Sequence, residues 1–195
     1  HKGAAERLTV QYSHPKWLVE RLIALVGEQE AEEFLRLDNE PVPTVIQTNT
    51  LKTTPDALAE ELRASGVQVQ AHPWLTGCFE VTGTGDMARL PAFAEGRCTV
   101  QDAAARLTAM VTGARKGDRV LDVCAAPGGK SFAMAMQMED QGEIRSCDIH
   151  PHKLKLIESG AARLGITSVR TALADGRERH AAWTGQADVV LADVP

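Results

Sequence analysis

The sequence is poor in aromatic residues, which make up 4% of its 195 residues. Its tryptophans lie far apart in the chain and are better explained by core packing than by a platform for stacking bases: Trp17, Trp74 and Trp183. Long apolar runs and the pattern of a signal peptide are lacking as well. These absences argue against a membrane or secreted protein and predict a cytoplasmic protein of one or two domains.

Cysteine is also scarce, with four residues at Cys78, Cys98, Cys124 and Cys147. No Cys-x-x-Cys pair or Cys/His cluster has the spacing of metal ligands, so we expect no metal site and no disulfide. Cys124 and Cys147 fall on or just beyond predicted buried strands, where cysteine acts as a small hydrophobic residue. Free thiols suit a reducing compartment.

An excess of positive charge is missing too, since the formal net charge is −5. Phosphate binding usually leaves a basic footprint, so this balance argues against a nucleic-acid partner. Two local clusters are the candidates for a basic patch: Arg115, Lys116 and Arg119, and Arg177, Arg179 and His180. Such clusters are more often ordinary solvated surface.

The most informative segment runs from Arg119 to Ser131, with the sequence RVLDVCAAPGGKS. It predicts a short apolar strand, a glycine-rich bend and the start of a helix. Glycine lets the backbone turn and approach a bound molecule closely, and the first amides of the helix are free to donate to it. The segment therefore predicts a cradle for a polar or anionic cofactor.

Two common nucleotide loops do not match this segment. A triphosphate loop needs glycine where this chain has Cys124, and the dinucleotide pattern G-x-G-x-x-G is absent. A nicotinamide-dependent oxidoreductase on a Rossmann-like sheet stays open as the less favoured enzyme class.

Three predicted strands after the bend end in a carboxylate. The strand at 142–148 ends in Asp148, the strand at 169–175 in Asp175, and the apolar run at 187–195, predicted to be buried on both faces, contains Asp193. A helix is predicted between the first two, with Leu154, Ile157, Ala161 and Leu164 on one face and Gly165 at its end. Ligands of open parallel sheets bind at the carboxyl ends of strands, so we expect the three acids to converge above the bend.

The run D-x-C-A-A-P-G-G-K-S closely resembles the first cofactor motif of the RNA (cytosine-5)-methyltransferases. Asn49 in Gln-Thr-Asn-Thr and the stretch 99–102, Thr-Val-Gln-Asp, resemble the same family. The resemblance implies a truncated Rossmann-like, S-adenosylmethionine-dependent methyltransferase domain at 104–195. It implies a smaller N-terminal α+β RNA-recognition region at 1–103.

The resemblance also implies roles for individual residues. S-adenosylmethionine would be held by the bend residues Cys124, Ala125, Ala126, Pro127, Gly128, Gly129 and Lys130. Asp148 would hold the ribose, Asp175 the adenine amino group, and Asp193 would lie near the methyl group and the target base. The implied partner is RNA, namely 16S ribosomal RNA.

The nucleophile of this family is a cysteine in a later motif, which adds to C6 of cytosine so that C5 can accept the methyl group. The chain stops at Pro195, one residue before the family's Pro-Cys pair, and none of its own cysteines matches either position. We therefore expect a chain that binds the donor and has no catalytic residue of its own. A non-catalytic RNA-binding or assembly module on the same scaffold stays open as an alternative.

Upstream of the bend the pattern predicts an α+β region. A helix is expected after Pro15 with Leu18, Leu22 and Leu25 on one face, and a second at 28–37. Pro41 and Pro43 break the chain before a strand at 44–50. A helix follows from about Thr54 to Gly66, with strands at 67–71 and 79–81.

Overall fold

The computed structural model describes residues 2–40 and 43–194. The chain divides into two compact units, residues 1–42 and 43–195. The break predicted at Pro41 and the end of the last predicted strand at Pro195 lie outside the described residues. The domain boundary predicted between residues 103 and 104 falls at the start of a helix and stays a prediction.

The first unit consists of three helices: α1 (Lys2–Tyr12), α2 (Lys16–Val26) and α3 (Glu28–Asp38). Their shared core contains Ala5, Leu8, Val19 and Leu35. The prediction for α2 was wrong in one respect, because Leu25 is 72% exposed and Val19 is buried instead. α2 is apolar on more than one face, so packing against α1 and α3, rather than its own pattern, selects the buried side. α1 itself was not predicted.

The second unit begins with an antiparallel sheet in the strand order β2-β3-β1-β4. The elements of this region are β1 (Thr44–Thr48), α4 (Pro55–Ala64), β2 (Gln68–Ala71), β3 (Cys78–Thr82), a 3₁₀ turn (Met87–Arg89), α5 (Pro91–Ala94) and β4 (Cys98–Val100). Thr54 caps α4 through a 3.3 Å bond from Ala57 N, and Pro55 occupies the first turn as predicted. The core beneath the sheet is built from Ile46, Leu58, Leu62, Phe79 and Val81.

A second sheet follows, with four parallel strands in the order β7-β6-β5-β8. The elements are α6 (Ala103–Val111), β5 (Arg119–Asp122), α7 (Gly129–Gln137), β6 (Glu143–Asp148), α8 (Pro151–Leu164), β7 (Val169–Leu173), a 3₁₀ turn (Ala181–Trp183) and β8 (Val189–Leu191). The predicted face of α8 packs into the core, and Gly165 ends this helix in the left-handed region. The fold class predicted from the sequence is therefore observed.

The two last strands are shorter than predicted. β7 ends opposite Asp148 and β8 ends opposite Asp122, because the partner strand stops at each of these residues. The prediction that the last strand is buried on both faces was wrong, since Val190 is 58% exposed. On that face of the sheet, residues 174–184 enclose a cavity of about 210 Å³ lined by Leu121 and Val123.

A polar joint connects the antiparallel sheet to the C-terminus of α8. Asn49 is fully buried, and its Nδ2 donates to Gly96 O at 2.7 Å and to Leu164 O at 2.8 Å. Lys52 Nζ donates to Glu95 O at 2.8 Å and to Arg163 O at 2.9 Å. The joint satisfies carbonyls that the end of a helix leaves without partners.

Asn49→Ala should lower the free energy of unfolding by about 2–3 kcal/mol, because it leaves two buried carbonyls unsatisfied. Asn39→Ala is the matched control, since Asn39 makes its 2.8 Å bond to Tyr12 O at the surface. Urea unfolding of the two variants measures the difference. If both variants lose the same unfolding free energy, the buried joint stabilises the fold no more than the surface bond does.

Candidate functional site

The bend between β5 and α7 is tied to both neighbouring strands. Val123 N donates to Leu191 O at 2.9 Å, and Ala125 N donates to Cys147 O at 2.8 Å. Gly128 then turns the chain at φ +111°, a conformation that side chains other than glycine rarely adopt. The bend is therefore fixed to β8 on one side and β6 on the other.

The first amides of α7 have no hydrogen-bond partner inside the helix. The first intrahelical bond runs from Phe132 N to Gly128 O at 2.8 Å, so the amides of Gly129, Lys130 and Ser131 have no partner within the helix. A Cβ built on Gly129 would have Gln101 Nε2 as its nearest neighbour, at 3.5 Å. The helix start can therefore donate to a polar or anionic group above the bend.

A buried polar network lies beneath the bend. Ser131 Oγ donates to Asp122 Oδ2 at 2.7 Å, and the hydroxyl of Ser146 lies 2.7 Å from the same oxygen of Ser131. Burial raises the pKa of Asp122 to about 6, while the Ser131 bond and the charge of Lys130 oppose that shift. No sequence motif indicated a role for Asp122, although its place at the end of the strand before the bend is a usable signal.

Two of the predicted strand-end acids lie close to the bend. Asp148 ends β6, and its Oδ1 accepts from His150 N at 2.9 Å. Asp193 follows β8, and its Oδ2 lies 2.5 Å from Lys130 Nζ. Burial first, and then the charges of Asp148, Asp122 and Asp193, raise the pKa of the Cys124 thiol, so all three carboxylates act on one point of the bend.

The third predicted acid, Asp175, is engaged by its own loop. Arg177 Nε contacts both carboxylate oxygens at 2.9 and 3.1 Å, and Arg177 N donates to Oδ1 at 2.9 Å. These bonds lower the pKa of Asp175 to about 2. The backbone keeps Asp175 near the bend, because Ala174 N donates to Asp148 O at 3.2 Å. No sequence pattern indicated that Arg177 would bind the Asp175 carboxylate.

The cysteines offer no activated thiol. Cys78, Cys98 and Cys147 are buried, and desolvation raises the pKa of Cys98 and Cys147 to about 11. Cys124 is partly exposed, with a raised pKa. In the described part of the chain, no group of three His, Cys, Asp or Glu side chains is arranged to hold a metal ion.

Carboxylates pair with some of the residues in the two candidate basic patches. Lys116 Nζ lies 2.7 Å from Glu139 Oε2, and Arg119 Nε lies 3.8 Å from Asp188 Oδ2. Arg177 is bound to Asp175 as described above. Among the described residues Arg115 and Arg179 form no salt bridge, so each candidate patch keeps one unpaired arginine. Within residues 2–40 and 43–194, no helix is long and apolar enough to cross a bilayer.

Comparisons with known proteins point to one family. A family model described as 16S rRNA methyltransferase RsmB/F matches residues 109–195, and one described as the ferredoxin-like domain of RsmF/B-like methyltransferases matches residues 14–88. The chain is 32% identical to ribosomal RNA small subunit methyltransferase B of Erwinia tasmaniensis over 95% of this chain and 43% of that relative. It is 33% identical to human 28S rRNA (cytosine(4447)-C(5))-methyltransferase over 96% of this chain and 23% of the relative.

Solved structures show the same architecture. NSun6 from Pyrococcus horikoshii, solved with SFG, superimposes with a TM-score of 0.80 at 22% identity, covering 93% of this chain and 70% of that one. A methyltransferase homologue from the same organism gives 0.75 at 25% identity, covering 92% and 57%. The chain spans less than half the length of the two curated relatives named above.

The chain has a parallel sheet with a glycine bend and strand-end acids, and it superimposes on a methyltransferase homologue. This is the architecture of an S-adenosylmethionine-dependent methyltransferase. Within that class, the chain belongs to the RNA (cytosine-5)-methyltransferase family of Sun and NSUN proteins. The predicted family, fold class and cofactor are thereby confirmed. The individual site residues stay predictions.

Asp122→Asn should change how stability depends on pH. A carboxyl with a raised pKa in the folded state stabilises the fold at low pH, and that contribution is lost as pH rises through about 6. Between pH 4 and pH 7 the unfolding free energy of the variant should therefore rise relative to the parent chain by about 2 kcal/mol. Urea unfolding at each pH measures it, with the exposed Asp56→Asn as control. A constant difference across this range would contradict the assignment.

Proposed function

We propose that this chain is the donor-binding and RNA-recognition part of an enzyme that methylates C5 of a cytosine in ribosomal RNA, with S-adenosylmethionine as the methyl donor. The observation that carries the proposal is the arrangement around the bend. The free amides of α7, the carboxylate of Asp148 and the Lys130–Asp193 pair all surround the same few residues. The names of the relatives supply the substrate class.

The chemistry of these groups fits S-adenosylmethionine. Asp148 uses Oδ1 for His150 N, while its Oδ2 lies 4.0 Å from Lys153 Nζ, too far for a hydrogen bond. Oδ2 therefore keeps acceptor capacity for the ribose hydroxyls. The carboxylates of Asp122, Asp148 and Asp193 favour a cationic ligand, and the donor carries a positive sulfonium that makes its methyl group electrophilic.

We assign the remaining contacts as follows. The backbone from Cys124 to Lys130 holds the amino-acid end of the donor through the amides at the start of α7. Asp175 is assigned to the adenine amino group, which has to displace one of the Arg177 donors, because Arg177 N, Nε and Nη2 already occupy both carboxylate oxygens. The ion pair with Lys130 holds the Asp193 carboxylate in place beside the bend, where we assign it to the methyl group and the target base.

The nucleophile is not among the cysteines of this chain. A thiol attacks as its thiolate, and burial raises the pKa of each buried cysteine. Cys124 sits among three carboxylates that disfavour a second negative charge. We assign covalent attack on C6 of cytosine to the later cysteine motif of the family, and donor binding to the residues described here.

For the substrate we propose 16S ribosomal RNA, because the matching model is described as a 16S rRNA methyltransferase and the Erwinia relative is named for the small subunit. The unpaired thiols support a reducing compartment, for which we propose the cytoplasm.

Asp148→Ala should weaken the binding of S-adenosylmethionine by about 10- to 100-fold, the effect of losing charged hydrogen bonds. Titration calorimetry measures Kd. Asp188→Ala is the control, because Asp188 precedes β8 at the opposite end of the sheet. If S-adenosylmethionine gives no heat with the folded parent chain, or if the variant has an unchanged Kd, the assignment is wrong. Heat on titration with NADH but not with S-adenosylmethionine would favour the oxidoreductase.

These 195 residues alone should transfer no methyl group from labelled S-adenosylmethionine to unmodified ribosomal RNA, because their thiols are not activated. The same residues extended through the family's cysteine motif should transfer label. Transfer by the 195 residues that is lost in Cys124→Ser would identify Cys124 as the nucleophile and contradict the proposal. Binding of donor with no transfer even by the extended chain would favour the non-catalytic module.

A further inference from the structure

The ring of Phe132 is packed between two glycines that are far apart in the sequence. A Cβ built on Gly128 would lie 2.3 Å from Phe132 Cζ, and one built on Gly160 would lie 2.6 Å from the same atom. Phe132 is only 5% exposed, so the ring has little room to move aside. Because glycine has no Cβ, both positions leave room for the end of the ring at Cζ.

Gly160 lies within α8, four residues before the end of that helix. Glycine inside a helix costs about 1 kcal/mol relative to alanine, so its own propensity does not explain it there. The contact distance does explain it, because alanine would collide with the ring. The other glycine, Gly128, is the bend residue whose φ of +111° already requires glycine.

The ring thus joins the two halves of the donor site. The same end of it, at Cζ and Cε2, contacts both the bend that presents the amides of α7 and the helix α8. This helix begins at Pro151, directly after His150, whose amide binds Asp148 Oδ1. Displacement of α8 against the ring would change the separation between the bend and the acid assigned to the ribose.

We propose that Phe132 is a positioning residue for donor binding: its ring, held between Gly128 and Gly160, fixes the bend at the correct separation from α8 and Asp148. The proposal rests on the function proposed above and adds a residue that touches no donor atom. It also explains why glycine occurs at both positions.

The test compares three variants: Gly160→Ala, Phe132→Leu and the combination of the two. Gly160→Ala should raise the Kd of S-adenosylmethionine by about tenfold, because the new methyl group pushes the ring and the bend away from α8. Phe132→Leu removes the atoms at the clash, so the double variant should bind more tightly than Gly160→Ala alone. Such non-additivity is expected only of residues in contact.

Gly3→Ala is the matched control for the helical glycine, because nothing lies within 4 Å of a Cβ built there. Phe34→Leu, at a half-exposed position, is the control for the ring. Thermal unfolding confirms that each variant is folded. If Gly160→Ala does not fold, Phe132→Leu alone should still weaken binding severalfold, since it leaves a void between the bend and α8.

Amide hydrogen exchange of Ala125, Gly128 and residue 132, whose amides are hydrogen-bonded in the bend, measured without donor, separates this inference from the proposed function. Faster exchange in Gly160→Ala and Phe132→Leu supports the positioning role, even if the parent chain binds no donor and the proposed function fails. Unchanged exchange together with an unchanged Kd in folded variants would overturn the positioning role while the donor site stands.

Discussion

Asp122 ends the first strand of the parallel sheet with a carboxylate that is 1% exposed. A charge in such a place is costly unless it is bound, and Ser131 binds it from the first turn of α7. Ser146 of the neighbouring strand joins the same network. The contact therefore fixes where α7 starts above the sheet, and the bend, the free amides and the approach of Lys130 to Asp193 all follow from that point.

The bend turns at a left-handed glycine, which adopts this conformation without strain, and it stays in place because the residues on both sides are hydrogen-bonded. Hydrogen bonds to β6 and β8 hold the residues before the glycine, and Ser131 holds the residues after it. A ligand that binds here does not have to order the loop first, so less of its binding energy is lost to entropy.

Local patterns in the sequence predicted much of this structure. The glycine bend, the helix that ends at Gly165 and the position of Asp148 depend on residues close together in the chain, and the structure has all three. Other features depend on contacts that no local pattern records. The buried face of α2 depends on two other helices, and Phe132 meets Gly160 across 28 positions. The engagement of Asp175 by Arg177 was missed for a different reason, since exposed charge pairs carry no distinctive sequence signal.

The joint between Asn49 and the end of α8 has a consequence for the order of folding. Its hydrogen bond to Leu164 O closes a loop of 115 residues, and Lys52 closes one of 111 to Arg163 O. Bringing such distant segments together has a large entropic cost, and the carbonyls at the end of a helix exist as acceptors only once that helix is formed. The joint can therefore close only after the end of α8 has formed, whatever the order in which the two sheets themselves assemble.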